Sequence, residues 1–167
     1  PDTDRIGVVA LHQKKPFYFN GNEMACMILE HICRSLKSNL QMPPKAMFVK
    51  TIVTTELFAT IAKHYQAECI DVLTGFKYIG EKISAWESEN KRVATTHHYI
   101  FGGEESYGYL YGTHVRDKDA VISSAIIAEM ALQLKLQGKT LADFLFEIFQ
   151  KYGVFCNKST SFAFEGK

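Results

Sequence analysis

Apolar runs too short to be helices alternate along this chain with longer segments whose apolar residues recur every three or four positions. That alternation limits the fold more than any other feature. Residues 46–53, 69–73 and 99–101 read as strands. The helical spacing falls around them: Met24, Met27, Ile28, Ile32 and Leu36 first, then Leu57, Phe58, Ile61, Ala62 and Tyr65, then Phe76, Ile79, Ile83 and Trp86. Strands taking turns with helices of this length predict an α/β fold, a mixed, mostly parallel sheet of about four strands flanked by helices. Residues 6–10 and 17–19 read as short strands around a Gln-Lys-Lys-Pro turn, the second running antiparallel at one edge of that sheet.

The punctuation agrees with this reading. Asn20 with Glu23, and Thr140 with Asp143, have the spacing of capping boxes; Thr54-Thr55 can start a further helix. Pro43-Pro44 stops the first helix, and Gly138 and Gly153 close the last two, the longer running from just after Asp117 to about Leu136.

At 167 residues the chain is the size of one domain and can bury about 70% of its unfolded surface. Its 47% hydrophobic and 22% charged composition is globular. A net charge of +1 excludes a large electrostatic footprint, so no nucleic acid and no anionic membrane is expected as a partner. No apolar run approaches the ~20 residues that span a bilayer, and no secretion signal opens the chain. The cysteines, Cys26, Cys33, Cys69 and Cys156, contain no Cys-x-x-Cys pair and no zinc spacing and read as reduced thiols, which suits a cytoplasmic location. The histidines form no cluster and receive no metal role.

Three segments follow strands directly: residues 50–55, 73–77 and 101–108. Ligands of open α/β sheets bind at the carboxyl ends of strands, so these loops should line one rim. In Gly102-Gly-Glu-Glu-Ser-Tyr-Gly108, glycines bracket two carboxylates and a hydroxyl, a set able to hold adjacent hydroxyls of a polyol. The same residues also suit a glycine-rich turn with solvated acids, and the alternation of Tyr107, Tyr109 and Tyr111 suits a strand or hairpin. Thr74-Gly75-Phe76-Lys77 is either a weak anion site of backbone N–H groups or a tight turn. Lys50 projects onto the rim or lies on the surface. Asp117 and Asp119 suit a helix start, while Arg116 and Lys118 neutralise a phosphate or form a solvated charge run. Asp2 and Asp4, two apart, can face one cation such as Mg²⁺ or belong to a frayed end.

Pro-Asp-Thr-Asp-Arg-Ile-Gly, Leu-Thr-Gly-Phe-Lys-Tyr-Ile-Gly-Glu-Lys, Gly-Gly-Glu-Glu-Ser-Tyr-Gly-Tyr and Arg-Asp-Lys-Asp-Ala stand in order from Pro1 to Ala120. Together they resemble the α-D-phosphohexomutase family, nearest its bacterial phosphoglucomutase/phosphomannomutase branch. The resemblance implies an isomerase of carbohydrate metabolism that interconverts hexose 1-phosphate and hexose 6-phosphate through a phosphoserine, Mg²⁺ and a hexose 1,6-bisphosphate. It implies that residues 1–12 end a second domain with part of a metal loop, that residues 13–150 are a third, sugar-binding domain, and that residues 151–167 lead toward a fourth. The implied partners are the hexose phosphate, the bisphosphate and the remaining domains.

By resemblance, Asp2 and Asp4 correspond to metal ligands, and Arg5 follows them near the phosphoserine. Glu104 and Ser106 match the pair gripping sugar hydroxyls; Thr74, Gly75 and Phe76 match a second sugar loop. Lys50, Arg116 and Lys118 match cleft residues, Lys118 assisting proton transfer. No Ser-His-Asn-Pro-type loop occurs, and residues 159–167 hold no Arg for a phosphate clamp, so the chain alone is expected to be inactive. A phosphopentomutase, a glucose-1,6-bisphosphate synthase and a non-catalytic binding module are the alternative readings.

Overall fold

The structure, a computed structural model, describes residues 2–93, 97–158 and 160. Pro1, residues 94–96, Ser159 and residues 161–167 of the expected connection lie outside the described residues.

Strands β1 (Val8–His12) and β2 (Lys15–Phe19) form a hairpin. Gln13 and Lys14 between them have φ of 50° and 64°, the left-handed pair a two-residue hairpin requires. The expectation that the Phe17 strand would extend the main sheet is corrected: β1 and β2 make a separate two-stranded sheet. Its inner residues, Val8, Ala10, Phe17 and Phe19, pack on the helical core, which holds the hairpin against helices rather than beside a strand.

Helix α1 (Gly21–Ser38) starts on the expected capping box: the Asn20 side chain accepts from the Glu23 N–H, and Glu23 accepts from the Asn20 N–H. It ends before Pro43, with Leu40 at φ 57°. The main sheet contains β3 (Ala46–Thr51), β4 (Glu68–Val72), β5 (His98–Gly103) and β6 (Tyr109–Tyr111) in the order β4-β3-β5-β6. β3 runs parallel to β4 and β5, while β6 returns antiparallel along β5 and takes the edge. Every residue of β3 is buried, as a central strand covered on both faces demands.

Helix α2 (Glu56–His64) links β3 to β4, and α3 (Phe76–Asn90) carries the chain back past β3 to β5. Right-handed crossovers that reverse direction place their helices on opposite faces. Accordingly, Phe76, Ile79 and Ile83 of α3 pack on Val49, Val72, Tyr99 and Leu110 in one core. The larger core, on the other face, joins α1 and α2 to α4 (Ala120–Leu136) and α5 (Leu141–Tyr152). Asp119 caps α4, and Thr140 with Asp143 forms the second expected capping box, at α5.

A buried carboxylate ties the helices of the larger core together. Glu30 of α1 is 0% exposed and accepts from Arg34 Nε (2.7 Å), Tyr65 Oη (3.2 Å), Lys151 Nζ (3.1 Å) and Tyr152 Oη (2.7 Å). It therefore ties α1 to the end of α2 and the end of α5. Burial, together with this carboxylate, pushes both tyrosine hydroxyls well above their ordinary range. Glu30→Ala would strand two cations and two hydroxyls around a void, and urea denaturation should register a loss of about 3–5 kcal/mol. A loss below about 1 kcal/mol would mean the cluster is not structural.

Candidate functional site

β5 ends in two glycines, and at the first of them, Gly102, nothing larger fits. A Cβ on Gly102 would stand 2.8 Å from the Val49 carbonyl oxygen and 2.8 Å from the Tyr99 hydroxyl. Beyond them the chain turns through residues 104–108, closed by the Glu104 N–H donating to the Gly108 carbonyl (2.9 Å). Tyr107 holds φ at 69°, a conformation costing a non-glycine residue about 1 kcal/mol or more. The hairpin reading of this stretch is realised, Tyr109–Tyr111 forming strand β6, and the glycine turn is present; its acids, however, are not solvated, since Glu104 is buried and Glu105 half-buried.

The adjacent carboxylates point to different neighbours. Glu104, 6% exposed, accepts from the Gly75 N–H at the start of α3 (3.1 Å) and from the Ser106 hydroxyl (3.4 Å). Glu105 accepts instead from the hydroxyls of Thr51 (3.2 Å) and Thr54 (3.4 Å) after β3. The three post-strand segments expected to share a rim do meet, joined through these two side chains.

The N-terminal segment lies along the same loop. Arg5 forms a β-bridge with Gly108, the Ile6 N–H donates to the Tyr107 carbonyl (3.2 Å), and the Thr3 carbonyl accepts from the Ala120 N–H (3.1 Å). Asp4 thereby comes to 3.4 Å from Lys118 Nζ, which also donates to Asp117 at 2.8 Å and lies 5.4 Å from the centre of the Phe76 ring. Burial alone would lower the Lys118 ammonium, but Asp117 and Asp4 outweigh it and hold it above its usual value. Burial likewise favours protonated Asp117, yet hydrogen bonds from Lys118 hold that carboxyl below its usual range. The stem of Lys118 crosses Gly108: a Cβ there would be 2.2 Å from Lys118 Cδ and 3.4 Å from Glu104 Oε2. Lys118, Glu104 and Ser106 thus share one corner of the rim.

The other expected residues divide. Thr74 is exposed beside this corner, and Gly75 lends its N–H to Glu104. The Phe76 side chain belongs to the smaller core, so it offers the rim its main chain and a ring over which the Lys118 ammonium sits. Lys50 is a correction in one respect: it is not a surface lysine but 0% exposed, and its three N–H bonds are matched by Thr54 O (3.2 Å), Glu56 (2.8 Å) and Asp71 (3.0 Å). Arg116 is held on α3 by Glu87 (2.6 Å) and donates to the Thr113 carbonyl. Arg5 is exposed and contributes to holding Asp117 ionised.

A Mg²⁺ ion wants six near-octahedral oxygens. Asp2 and Asp4 offer two carboxylates, one already engaged by Lys118, and among the described residues no three His, Cys, Asp or Glu gather into a metal site. These residues do not by themselves fit the ion. A cavity of about 460 Å³ lined by Lys37, Pro43, Pro44, His64 and Tyr65 lies at the opposite, N-terminal ends of β3 and β4 and gathers no carboxylates. The rim has the better chemistry.

Sequence reasoning missed Thr51 and Thr54 as partners of Glu105, and missed Gly21. A Cβ on Gly21 would sit 1.8 Å from the Glu105 carbonyl oxygen, so α1 can begin there only with glycine. The one legible signal was the doubled Glu104-Glu105.

Gly108→Ala should push the Lys118 side chain off the loop while costing little stability, since the obstructing atoms belong to a flexible side chain. Pairing raises the folded-state pKa of Lys118, so its stabilisation is present below the ordinary lysine value and fades as pH rises through the folded one. In the variant, NMR titration should return the ammonium toward its ordinary lysine value. An unchanged titration would refute the packing described.

Three comparisons bear on this geometry. The family description "Phosphoglucomutase/phosphomannomutase, alpha/beta/alpha domain III" matches residues 20–152. A phosphoglucomutase of Staphylococcus epidermidis is 35% identical over 167 residues, covering 99% of this chain and 29% of that protein. The chain therefore spans less than a third of the length of that relative. Among solved structures, a putative phosphomannomutase from Thermus thermophilus aligns with a TM-score of 0.65 at 22% identity, over 90% of this chain and 29% of its own. An Aspergillus fumigatus N-acetylphosphoglucosamine mutase variant in complex with glucose 1,6-bisphosphate aligns with a TM-score of 0.55 at 15% identity, over 86% and 30%. At these identities the solved structures speak for the fold.

Proposed function

The chain belongs to the phosphoglucomutase/phosphomannomutase family, as its α/β/α domain III, and on that premise we propose that it is the sugar-recognition part of a longer enzyme interconverting hexose 1-phosphate and hexose 6-phosphate. The observation that carries this reading is the placement of Glu104 and Ser106, 3.4 Å apart, on a glycine loop at the strand ends, with Lys118 crossing Gly108 beside them. An ionised carboxylate accepts and a hydroxyl both donates and accepts, so together they can hold two neighbouring hydroxyls of a hexose. The Gly75 N–H holds Glu104 Oε1, which turns Oε2 toward Ser106 and the ligand.

In this reading Lys118 acts as a proton donor and charge neutraliser. Its raised pKa keeps it an ammonium at neutral pH, so it delivers a proton to an oxygen or offsets phosphate charge rather than removing a proton. Arg5, on the segment bridged to Gly108, adds a second positive charge, and Thr74 flanks the sugar loop. Arg116 joins them only by leaving Glu87. Lys50 is a strut beneath the rim.

The phosphoryl group would come from a phosphoserine outside these residues, pass to the hexose phosphate, and return after the hexose 1,6-bisphosphate has turned round. Little covalent chemistry falls to this part of the enzyme; such transfers depend on positioning and charge neutralisation. The ligand of the Aspergillus structure supports the bisphosphate as a ligand class. Mg²⁺ would draw on Asp2 and Asp4 only together with ligands from elsewhere, and no step here is routed through it. Residues 1–12 would close a preceding domain and residues 151–167 lead to a following one, with the remaining domains as partners. Free thiols at Cys26, Cys33, Cys69 and Cys156 support a reducing, cytoplasmic setting.

The test is Glu104→Ala in the full-length polypeptide, assayed with glucose 1-phosphate. A charged hydrogen bond to the sugar is worth about 1.5–3 kcal/mol, so kcat/KM should fall roughly 10- to 150-fold while the thermal unfolding transition persists. A wild-type kcat/KM would remove Glu104 from the sugar site.

A further inference from the structure

Resting on the function proposed above, we propose that Glu105 is a positioning residue, anchored away from the ligand so that its neighbours Glu104 and Ser106 face it in a fixed geometry. Its carboxylate is bound by Thr51 at 3.2 Å and Thr54 at 3.4 Å. Those hydroxyls are 2.8 Å from each other, and both threonines are buried. Two hydroxyl protons serve this triangle. Without the carboxylate, one hydroxyl can donate to the other, but the second proton has no acceptor among these groups. Glu105 and the threonine pair therefore complete each other.

The anchor beneath is itself stiff. Thr51 is the last residue of the buried strand β3, and the Thr54 carbonyl accepts from the buried Lys50 ammonium. The main chain of Glu105 is held separately. Its carbonyl occupies the space that a Cβ on Gly21 would need, and Tyr109 donates to the Gly21 carbonyl at 2.9 Å, drawing α1 onto the loop. Residue 105 is thus fixed by its side chain to the β3 loop, and its backbone packs closely against the start of α1. Glu104 and Ser106 stand on either side of that fixed point, and Tyr107 next to them is left at φ 69°. A loop ordered before the ligand arrives does not lose that freedom on binding, which favours affinity and alignment.

The experiment uses the full-length polypeptide with glucose 1-phosphate and the variants Glu105→Ala, Glu105→Gln and Thr51→Val. Glu105→Ala should lower kcat/KM on the order of tenfold, mainly through KM. Glu105→Gln, whose amide oxygen still accepts from the threonines, should recover most of that loss, and Thr51→Val should move KM in the same direction as Glu105→Ala. The proposal is overturned if folded Glu105→Ala stays within about twofold of wild type. It is also overturned if Glu105→Gln is as impaired as Glu105→Ala, or if the defect is only a lowered Tm with normal KM well below it. Should Glu105→Ala not fold, an unchanged KM in Thr51→Val overturns the proposal.

Absence of turnover in the wild-type polypeptide would instead defeat the functional reading. Positioning is then decided on the same full-length polypeptide by hydrogen exchange at the Gly75 and Glu104 amides, both bonded within the rim. Faster exchange in Glu105→Ala but not in Glu105→Gln supports the anchor, and unchanged protection in both overturns it.

Discussion

Two consecutive carboxylates pulling in different directions hold the rim together. Glu104 takes the N–H at the start of α3, and Glu105 takes two hydroxyls from the loop after β3. Since the loop after β5 supplies both residues, the ends of β3, β4 and β5 are joined through a dipeptide rather than through a continuous strand. The glycines around it are consequences of this crowding. Gly102 is needed where β5 meets the Val49 carbonyl and Gly21 where α1 is drawn against residue 105, while at Gly108 the space is taken by the Lys118 stem.

The same economy governs the charges. Glu30 is fully enclosed but has four donors, and Lys50 is fully enclosed but has three acceptors. Burying an ion is tolerable only on such terms. These clusters brace the fold below and behind the rim, whereas Lys118 is held by two carboxylates at the rim itself, one of them exposed. A ligand phosphate competing for that ammonium would displace a surface pairing, which costs little compared with opening the Glu30 or Lys50 clusters.

Local signals were legible in the sequence and distant ones were not. The capping boxes at Asn20 and Thr140 could be read because both partners lie within one turn. The strand–helix alternation gave the architecture, and the clustered glycines and acids of residues 102–108 marked the rim. What escaped depends on residues far apart in the chain. Thr51 and Glu105 are 54 positions apart, so no periodicity announces their bond. Lys50 has the sequence context of a strand-end lysine, and only the approach of Asp71 and Glu56 encloses it. The hairpin was expected at the sheet edge because its strand pattern was right; its inner face matched helices instead, and β6 took the edge.

The strand order also dictates how this chain assembles as it is made. β3 is the first strand of the main sheet to emerge, and every one of its residues is enclosed in the finished fold. β4, the next strand in the chain, borders one of its edges, and β5, which borders the other, is synthesised only after α3. During that interval a buried-type strand has bare N–H and C=O groups along one side, the geometry that pairs with foreign strands. Ribosomes that pause between α3 and β5 would lengthen the exposure, and chaperone demand should peak there rather than at the hairpin or the terminal helices.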